Sequence, residues 1–176
     1  MINKEGWLIK AEKHISPNFD QRPKNTDIKL IVIHNISLPP ENFEPENVKK
    51  FFMNELDFET HKFFQEIRGL KVSSHFVIDR IGKIYQFVSV YDRAWHAGLS
   101  SFNNQENCND FSLGVELIGS DNTPFEDNQY ISLNELIEAL CNSFPKIKKE
   151  NIVGHSEIAP GRKSDPGPFF DWSKIS

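Results

Sequence analysis

The sequence predicts a single α/β domain in which a mixed central β-sheet is flanked by helices. Three observations support this fold class: a buried-strand pattern at Leu30–Ile33, a hairpin pattern between residues 75 and 88, and a helical repeat of apolar residues from Ser132 to Phe144. No internal repeat or Gly/Ser linker divides the 176 residues, so the whole chain, 1–176, is expected to form one domain.

The first strand is predicted at Leu30–Ile33, where four consecutive apolar residues are typical of a strand that is buried on both faces. It brings His34 to its end, before the pair Pro39-Pro40 stops regular structure. A second apolar run, Ile152–Gly154, brings up His155 in the same way. We therefore expect both histidines at strand ends, where side chains from distant parts of a chain meet over a rigid scaffold.

Three further strands are predicted at His75–Ile78, Ile84–Val88 and Phe111–Ile118. The first two are joined by a short polar link that contains Gly82, as is typical of a β-hairpin. Together with the two strands that precede the histidines, they supply enough apolar segments for a mixed sheet.

The clearest helix is predicted at Ser132–Phe144, where apolar residues recur at spacings of three and four. Ser132 and Glu135 have the spacing of a capping box, which predicts that the helix begins at Ser132. Cys141 lies on the apolar stripe, where a thiol behaves as a small hydrophobe. Cys108 is far away in the sequence, so neither a disulfide framework nor a thiolate metal site is indicated.

Composition and charge argue against several function classes. The formal net charge is −5, and the only basic run is the short segment Lys146–Lys149, which argues against binding to a nucleic-acid backbone. The N-terminal residues lack the apolar core of a signal peptide, and no segment is long and apolar enough to span a membrane. We therefore expect a cytoplasmic protein that binds neither nucleic acid nor a membrane, and no obligate protein partner is evident.

His34, His155 and Asp165 together suit a metal site. A catalytic zinc ion takes three nitrogen or oxygen ligands and keeps one position open for water. Asp165 lies in the segment Ala159–Pro168, whose prolines and glycines favour a fixed loop. Spacing alone is equally compatible with two histidines that are merely hydrogen-bonded, and non-haem iron oxygenases use the same ligand types. The residues by themselves therefore leave both the site and the metal open.

Five segments of the chain resemble the AmpD family. They are Ser16–Pro23, Val32–Pro40, Arg93–Gly98, Cys108–Ser112 and Gly154–Pro168, and the motif-bearing part of the chain is about residues 16–172. Members of this family are 1,6-anhydro-N-acetylmuramyl-L-alanine amidases, cytoplasmic zinc enzymes of murein recycling. Their type 2 amidase fold is shared with peptidoglycan recognition proteins. The resemblance thus implies this fold, Zn²⁺ as cofactor, and hydrolysis of the amide between the lactyl group of a muramyl sugar and L-alanine.

The resemblance also implies roles for individual residues. It makes His34, His155 and Asp165 the zinc ligands, the same set that ligand chemistry suggested. Glu116 matches the family's proposed catalytic glutamate, and a carboxyl group flanked by apolar residues suits a general base with a raised pKa. Lys163 resembles the family lysine that stabilises the tetrahedral oxyanion. Without the resemblance, the alternatives are that Glu116 points to solvent from a half-buried strand and that Lys163 is a solvated loop cation.

Binding of an anionic muropeptide to this acidic protein requires a locally positive site, for which Lys71, Arg162 and Lys163 are candidates. Family members usually carry arginines near the positions of Lys71 and Asn107. A lysine is a point charge and an asparagine offers only neutral hydrogen bonds, so the contacts to the stem peptide are expected to differ here.

Two more residues are candidates for contact with the sugar. Trp95 could stack on the sugar face, with core packing as the alternative, and Asn35 could hydrogen-bond the acetamido or lactyl group. His75 and His96 are expected to be hydrogen-bonded scaffold or to support the metal ligands from behind, because a fourth ligand would close the catalytic position.

Two other functions stay open at the level of sequence. The protein could be a lytic amidase that acts on intact murein, or a non-catalytic module that binds muropeptides. Relatives that only bind have lost a zinc ligand, whereas this chain has replaced none, so the sequence favours catalysis.

Overall fold

The computed structural model describes residues 1–175. Within that range the strands are β1 (Glu12–Lys13), β2 (Phe19–Gln21), β3 (Leu30–Ile36), β4 (Phe76–Ile78), β5 (Ile84–Gln86), β6 (Asp92–Ala94), β7 (Ser101–Phe102), β8 (Gln105–Glu106), β9 (Ser112–Ile118) and β10 (Ile152–Gly154). The α-helices of the same range are α1 (Pro45–Phe52), α2 (Lys62–Glu66), α3 (Asp127–Ser143) and α4 (His155–Ile158).

Six strands form the central sheet, in the order β1-β5-β4-β9-β3-β10. Neighbouring strands are parallel except for β4 and β5, which form the predicted hairpin. The pairs β2-β6 and β7-β8 form two small antiparallel ribbons. The predicted mixed sheet is confirmed, and none of the helices within residues 1–175 combines the length and apolar character that crossing a bilayer requires.

Alternation along β3 divides its residues between the two faces of the sheet. Ile31 and Ile33 belong to a core cluster with the buried apolar residues of α3. Leu30 and Val32 face the other way and belong to a separate cluster. His34 continues this second series, so its side chain emerges on the face of the sheet opposite to α3.

The face opposite to α3 is covered in part by α1 and α2, which the sequence did not predict. Val48, Phe51 and Phe52 of α1 and Phe64 of α2 pack in one cluster with Val77 of β4. The first turn of α1 contains proline, which is favoured there because its fixed φ suits a helix start and its missing N–H is not needed. These helices form one wall of the space above His34.

The predicted start of the long helix was wrong. α3 begins at Asp127, and its capping box is formed by Glu126 and Gln129. Ser132 lies inside the helix, where its hydroxyl donates a hydrogen bond of 2.6 Å to the carbonyl oxygen of Gly82. The apolar pattern missed the first turn because a polar residue, Gln129, is fully buried there, with its amide bonded to backbone carbonyls of the sheet.

The places of the two histidines also differ from prediction in detail. β3 continues to Ile36, so His34 lies within the strand rather than at its end. His155 directly follows β10 but is the first residue of α4. Both strands run parallel, with Gly154 paired to Ile33, so the two histidines still reach the same end of the sheet.

Candidate functional site

Three side chains meet at the end of β3 and β10. The Nδ1 atoms of His34 and His155 are 3.0 Å apart, and the Oδ2 atom of Asp165 lies 2.9 Å from the first and 3.0 Å from the second. Both imidazoles are buried, and the carboxylate is partly exposed. The structure therefore brings together the three residues that the sequence singled out, and they could hold a metal ion.

The hydrogen-bonding capacity of the three groups fits a cation. Nε2 of His155 lies 3.0 Å from the carbonyl oxygen of Ala97, which can only accept a hydrogen bond. The proton of a neutral His155 is therefore on Nε2, and its Nδ1 lone pair points at the carboxylate of Asp165. Nδ1 of His155 and Oδ2 of Asp165 are thus two acceptor atoms only 3.0 Å apart, and a cation bound to both would stabilise this arrangement. Two nitrogen ligands and one oxygen ligand suit Zn²⁺.

The electrostatics of the triad favour deprotonated ligands. Burial lowers the pKa of His34 to about 4, although its hydrogen bond with Asp165 acts in the opposite direction. Burial tends to raise the pKa of Asp165, but its close contacts with His155 and His34 outweigh it and hold that pKa well below its usual range. A neutral imidazole and an ionised carboxylate are the forms that bind a metal ion.

Glu116 stands next to the triad because its residue pairs with His34 across β9 and β3. Its side chain is buried, and Oε2 has no hydrogen-bond partner among the described residues. Burial raises the pKa of Glu116 well above its usual range, the charge of Asp165 adds to the effect, and Lys163 opposes it. A buried carboxyl group with an unsatisfied oxygen calls for a functional explanation.

Of the three predicted cations, two line the cleft and one does not. Lys163 is exposed at the mouth, and its charge acts on both His34 and Glu116. Arg162 lines the cleft, but its guanidinium donates to the carbonyl oxygens of Ala97 and Leu99, each at 2.7 Å.

Lys71 is not among the residues that line the cleft. It is exposed, whereas its neighbours Leu70 and Val72 line the cleft. Asn107 is also exposed and has a left-handed backbone, with φ of 59°. Of the predicted cations, only Lys163 and the constrained Arg162 line the cleft within the described residues.

The triad lies at the polar end of a cleft of about 540 Å³. The opposite part of its wall is apolar and comes mostly from α1, α2 and the segment that follows α2: Phe51, Phe52, Phe63, Ile67, Leu70 and Val72. This volume lies within the range of small-molecule sites, which combine apolar walls with a few convergent polar groups.

Trp95 and Asn35 both line this cleft. Trp95 is half-buried, so the alternative of complete core packing does not apply. The amide nitrogen of Asn35 donates to Asp121 Oδ1 at 2.6 Å and to the carbonyl oxygen of Pro166 at 3.0 Å. Both hydrogens of that amide are therefore used within the protein, which leaves only its oxygen for a ligand.

Some residues around the site had no predicted role. Asp121 lines the cleft and holds Asn35, but a single carboxylate in a polar loop gives no sequence signal. Arg22 lies behind the site, where burial lowers its pKa to about 10 and its guanidinium donates to the carbonyl oxygen of Ser112 at 2.9 Å. His75 accepts a hydrogen bond from the N–H of Gly114, as expected for scaffold.

Gly114→Ala is expected to destabilise the fold by about 1–3 kcal/mol, the usual cost of overpacking. A Cβ at this position would lie 2.5 Å from Cγ of His96 and 2.7 Å from the hydroxyl oxygen of Ser74, so the ring or the strand must move. Thermal unfolding should show a fall in Tm of roughly 2–4 °C per kcal/mol.

Gly69→Ala provides the control for this substitution. A Cβ there meets nothing within 4 Å, so only the cost of its positive φ of 80° applies. An unchanged Tm for Gly114→Ala would show that the space beside His96 is not needed.

Comparison with known proteins identifies a family that the chain matches. The chain matches the N-acetylmuramoyl-L-alanine amidase family over residues 24–168, which include the triad, Glu116 and Lys163. The 1,6-anhydro-N-acetylmuramyl-L-alanine amidase AmpD of Haemophilus influenzae is 51% identical over 170 residues, which cover 97% of this chain and 92% of that protein.

Solved structures give the same result for the fold. The crystal structure of a Se-Met AmpD derivative superposes with a TM-score of 0.96 at 44% identity, covering 99% of this chain and 97% of that one. The amidase AmiD from E. coli, in complex with the substrate anhydro-N-acetylmuramic acid-L-Ala-D-gamma-Glu-L-Lys, has a TM-score of 0.61 at 28% identity, with coverages of 98% and 63%. The predicted type 2 amidase fold and the resemblance to the AmpD family are confirmed.

Proposed function

Because the chain belongs to the N-acetylmuramoyl-L-alanine amidase family, we propose that it hydrolyses the amide between the lactyl group of 1,6-anhydro-N-acetylmuramic acid and L-alanine, with Zn²⁺ as cofactor. The observation that carries this proposal is the meeting of His34, His155 and Asp165 beside a buried, unpartnered oxygen of Glu116. These residues supply a metal position and a base at one end of a cleft of suitable size.

His34, His155 and Asp165 would hold the metal, His34 and His155 through Nδ1 and Asp165 through a carboxylate oxygen. A bound Zn²⁺ would polarise the scissile carbonyl and lower the pKa of a water ligand to about 7. The loop that carries Asp165 is tied to α4, because its carbonyl oxygen accepts a hydrogen bond of 2.9 Å from the N–H of Ser156. The protein thus fixes the carboxylate before substrate arrives.

Glu116 would act as the proton carrier. In the ionised state its Oε2 takes the proton of the attacking water, and it then delivers that proton to the nitrogen of the departing L-alanine. The raised pKa of Glu116 suits both steps, since a stronger base takes the first proton and a carboxylic acid then returns it. Burial also keeps bulk water away from Oε2, so the proton is passed to substrate.

Lys163 would stabilise the negative charge that develops on the carbonyl oxygen in the transition state. Lys163 lies two residues before Asp165 in the sequence, and its charge lowers the pKa of Glu116. A positioned donor of this kind contributes about 10²–10³-fold in kcat. Arg162 does not take this role, because its guanidinium is engaged with the loop carbonyls.

The shape and lining of the cleft suit an amphipathic muropeptide. Trp95 offers a ring face for the sugar, and the oxygen of Asn35 could accept from the acetamido or lactyl group. The apolar wall on the other side suits the aliphatic parts of the stem peptide. The exposed position of Lys71 implies that carboxylate groups of that peptide are recognised less strictly than by an arginine inside the cleft.

The place of the reaction in murein recycling and the cytoplasmic location rest on the resemblance to the AmpD family. The relatives named for 1,6-anhydro-muramyl substrates support an anhydro-muropeptide over intact murein, because that sugar form marks fragments already released from the wall. The same argument gives a small molecule, rather than a polymer or a protein, as the partner of this site.

We expect the zinc-loaded protein to split anhydromuramyl-tripeptide into the anhydro sugar and a peptide that begins with L-alanine. Mass spectrometry after incubation would detect both products, with a chelator-treated sample as control. Whole sacculi incubated in parallel should release little peptide. The chelated sample should be inactive and regain activity when Zn²⁺ is returned.

Each other outcome would replace the proposal with a defined alternative. Efficient release of peptide from sacculi would identify a lytic amidase that acts on intact murein. Binding of the tripeptide without cleavage would identify a muropeptide-binding module. Cleavage that persists in the chelated sample would refute the metal-dependent reaction.

A further inference from the structure

The loop Trp95–Gly98, which follows β6, contacts both of the histidines proposed as metal ligands. Nδ1 of His96 lies 3.0 Å from Nε2 of His34. The carbonyl oxygen of the next residue, Ala97, lies 3.0 Å from Nε2 of His155. Two consecutive residues thus face the two ring nitrogens that point away from Asp165.

The direction of these hydrogen bonds follows from the chemistry of each atom. Nε2 of His155 must donate, because a carbonyl oxygen only accepts. If Nδ1 of His34 faces the metal, the proton of that imidazole is on Nε2, and Nδ1 of His96 must accept it. The proton of His96 is then on its own Nε2, which lies 3.2 Å from the hydroxyl oxygen of Ser112. A directed chain therefore runs from His34 through His96 to Ser112.

The loop is itself held in place by a side chain away from the triad. Oδ1 of Asn109 accepts hydrogen bonds from the backbone N–H groups of His96 at 3.1 Å and of Ala97 at 2.8 Å. On the other side, Arg162 donates to the carbonyl oxygens of Ala97 and Leu99. Because Asn109 bonds the N–H groups of this loop and Arg162 bonds its carbonyl oxygens, His96 and Ala97 keep their positions relative to the two histidine rings.

We propose that His96 is a positioning residue that fixes the ring of His34 by accepting its Nε2 proton, while Asn109 holds the loop so that Ala97 fixes the ring of His155. This inference rests on the proposed metal role of the two histidines and adds the residues that orient them. Partners of this kind set the tautomer and orientation of ligating imidazoles, and their loss typically lowers metal affinity by about 10–100-fold.

The first test compares His96→Leu with His96→Asn. Leucine fills much of the same space but cannot accept a hydrogen bond, whereas the side-chain oxygen of asparagine can replace Nδ1. We expect zinc affinity, measured by competition with a chelator of known strength, to fall about 10–100-fold in His96→Leu and to recover for the most part in His96→Asn. A merely structural role of the ring would lower affinity in both variants alike.

The second test compares Asn109→Ala with Asn109→Asp, a pair that leaves the triad and His96 unchanged. Aspartate keeps the Oδ1 acceptor for both backbone N–H groups, and alanine removes it. We expect weakened zinc binding in Asn109→Ala and near-normal binding in Asn109→Asp. Equal zinc affinity in the unaltered protein, His96→Leu and Asn109→Ala would overturn the inference.

A measurement on the unaltered protein decides the question even if a variant does not fold. ¹⁵N NMR of the zinc-loaded protein reports which nitrogen of each imidazole carries a proton. We expect His96 to be neutral, with its proton on Nε2 and a bare Nδ1; a proton on Nδ1 of His96 would show that the chain does not run from His34 to His96. If the unaltered protein takes up no zinc, the proposed function itself fails, which is a separate result.

Discussion

His34→Ala is expected to lose bound zinc and amidase activity together. The substitution removes one of three side chains that would hold the metal and leaves His155 and Asp165 to bind it alone. Because the loss of a group that only orients a ligand costs about 10–100-fold in metal affinity, the loss of a ligand should cost more. Metal content after dialysis and the rate of release of the L-alanine peptide are the two measurements.

His14→Ala is the matched control for His34→Ala. His14 lies outside the cleft, where its ring stacks on Phe87 and its Nε2 contacts Glu12. This variant should bind zinc and cleave anhydromuramyl-tripeptide as the unaltered protein does. If His34→Ala retained a full equivalent of zinc, the ligand assignment would be refuted, whatever its activity.

Glu116→Gln is expected to keep zinc and lose about 10²–10⁴-fold in kcat, the usual contribution of a general base. Glutamine has the same shape but cannot take a proton from water. The metal content should stay normal because Glu116 is not one of the three side chains that converge. An increase in KM alone, with kcat unchanged, would contradict the proton-carrying role and assign Glu116 to substrate binding.

The same substitution should stabilise the metal-free protein near neutral pH. In the unfolded chain Glu116 ionises at a pKa of about 4.3, whereas burial raises its pKa in the folded state well above that. At pH values below the unfolded pKa, Glu116 is protonated in both the folded and the unfolded state, so it does not lower the free energy of unfolding. As the pH rises through that value, only the unfolded chain gives up its proton, so the free energy of unfolding falls until the folded pKa is reached.

Thermal unfolding of the metal-free protein tests directly whether Glu116→Gln raises its stability. Glu116→Gln removes the titration, so its Tm should exceed that of the unaltered protein at pH 7, by roughly 2–4 °C if the gain is about 1 kcal/mol. The two proteins should converge at pH values below about 4. Glu138→Gln, an exposed position on α3, serves as the control and should leave the Tm unchanged. A lower Tm for Glu116→Gln at pH 7 would show that the ionised carboxylate stabilises the fold.

Several elements of the fold were predictable because their patterns are local. The continuous apolar run of β3, the strand β9 and the hairpin of β4 and β5 are confirmed with small changes of bounds. α1 and α2 were missed since their contribution to the core is shared with loop residues and is not visible as one long repeat. The start of α3 was misplaced because Gln129, a buried polar residue, satisfies its amide only through the backbone of the sheet.

The sequence by itself determined the residue types of the site and, through its motifs, the family and fold. It also indicated His34, His155 and Asp165 as a set, because Zn²⁺ accepts few kinds of ligand and the motifs carry them. Only the tertiary structure decided which cations face the cleft, that the amide of Asn35 is already engaged, and that His96 and Ala97 contact the two histidines. The physical reason is that side-chain periodicity reports burial over a few neighbouring residues, whereas the contacts of His34 join positions 62, 121 and 131 residues apart.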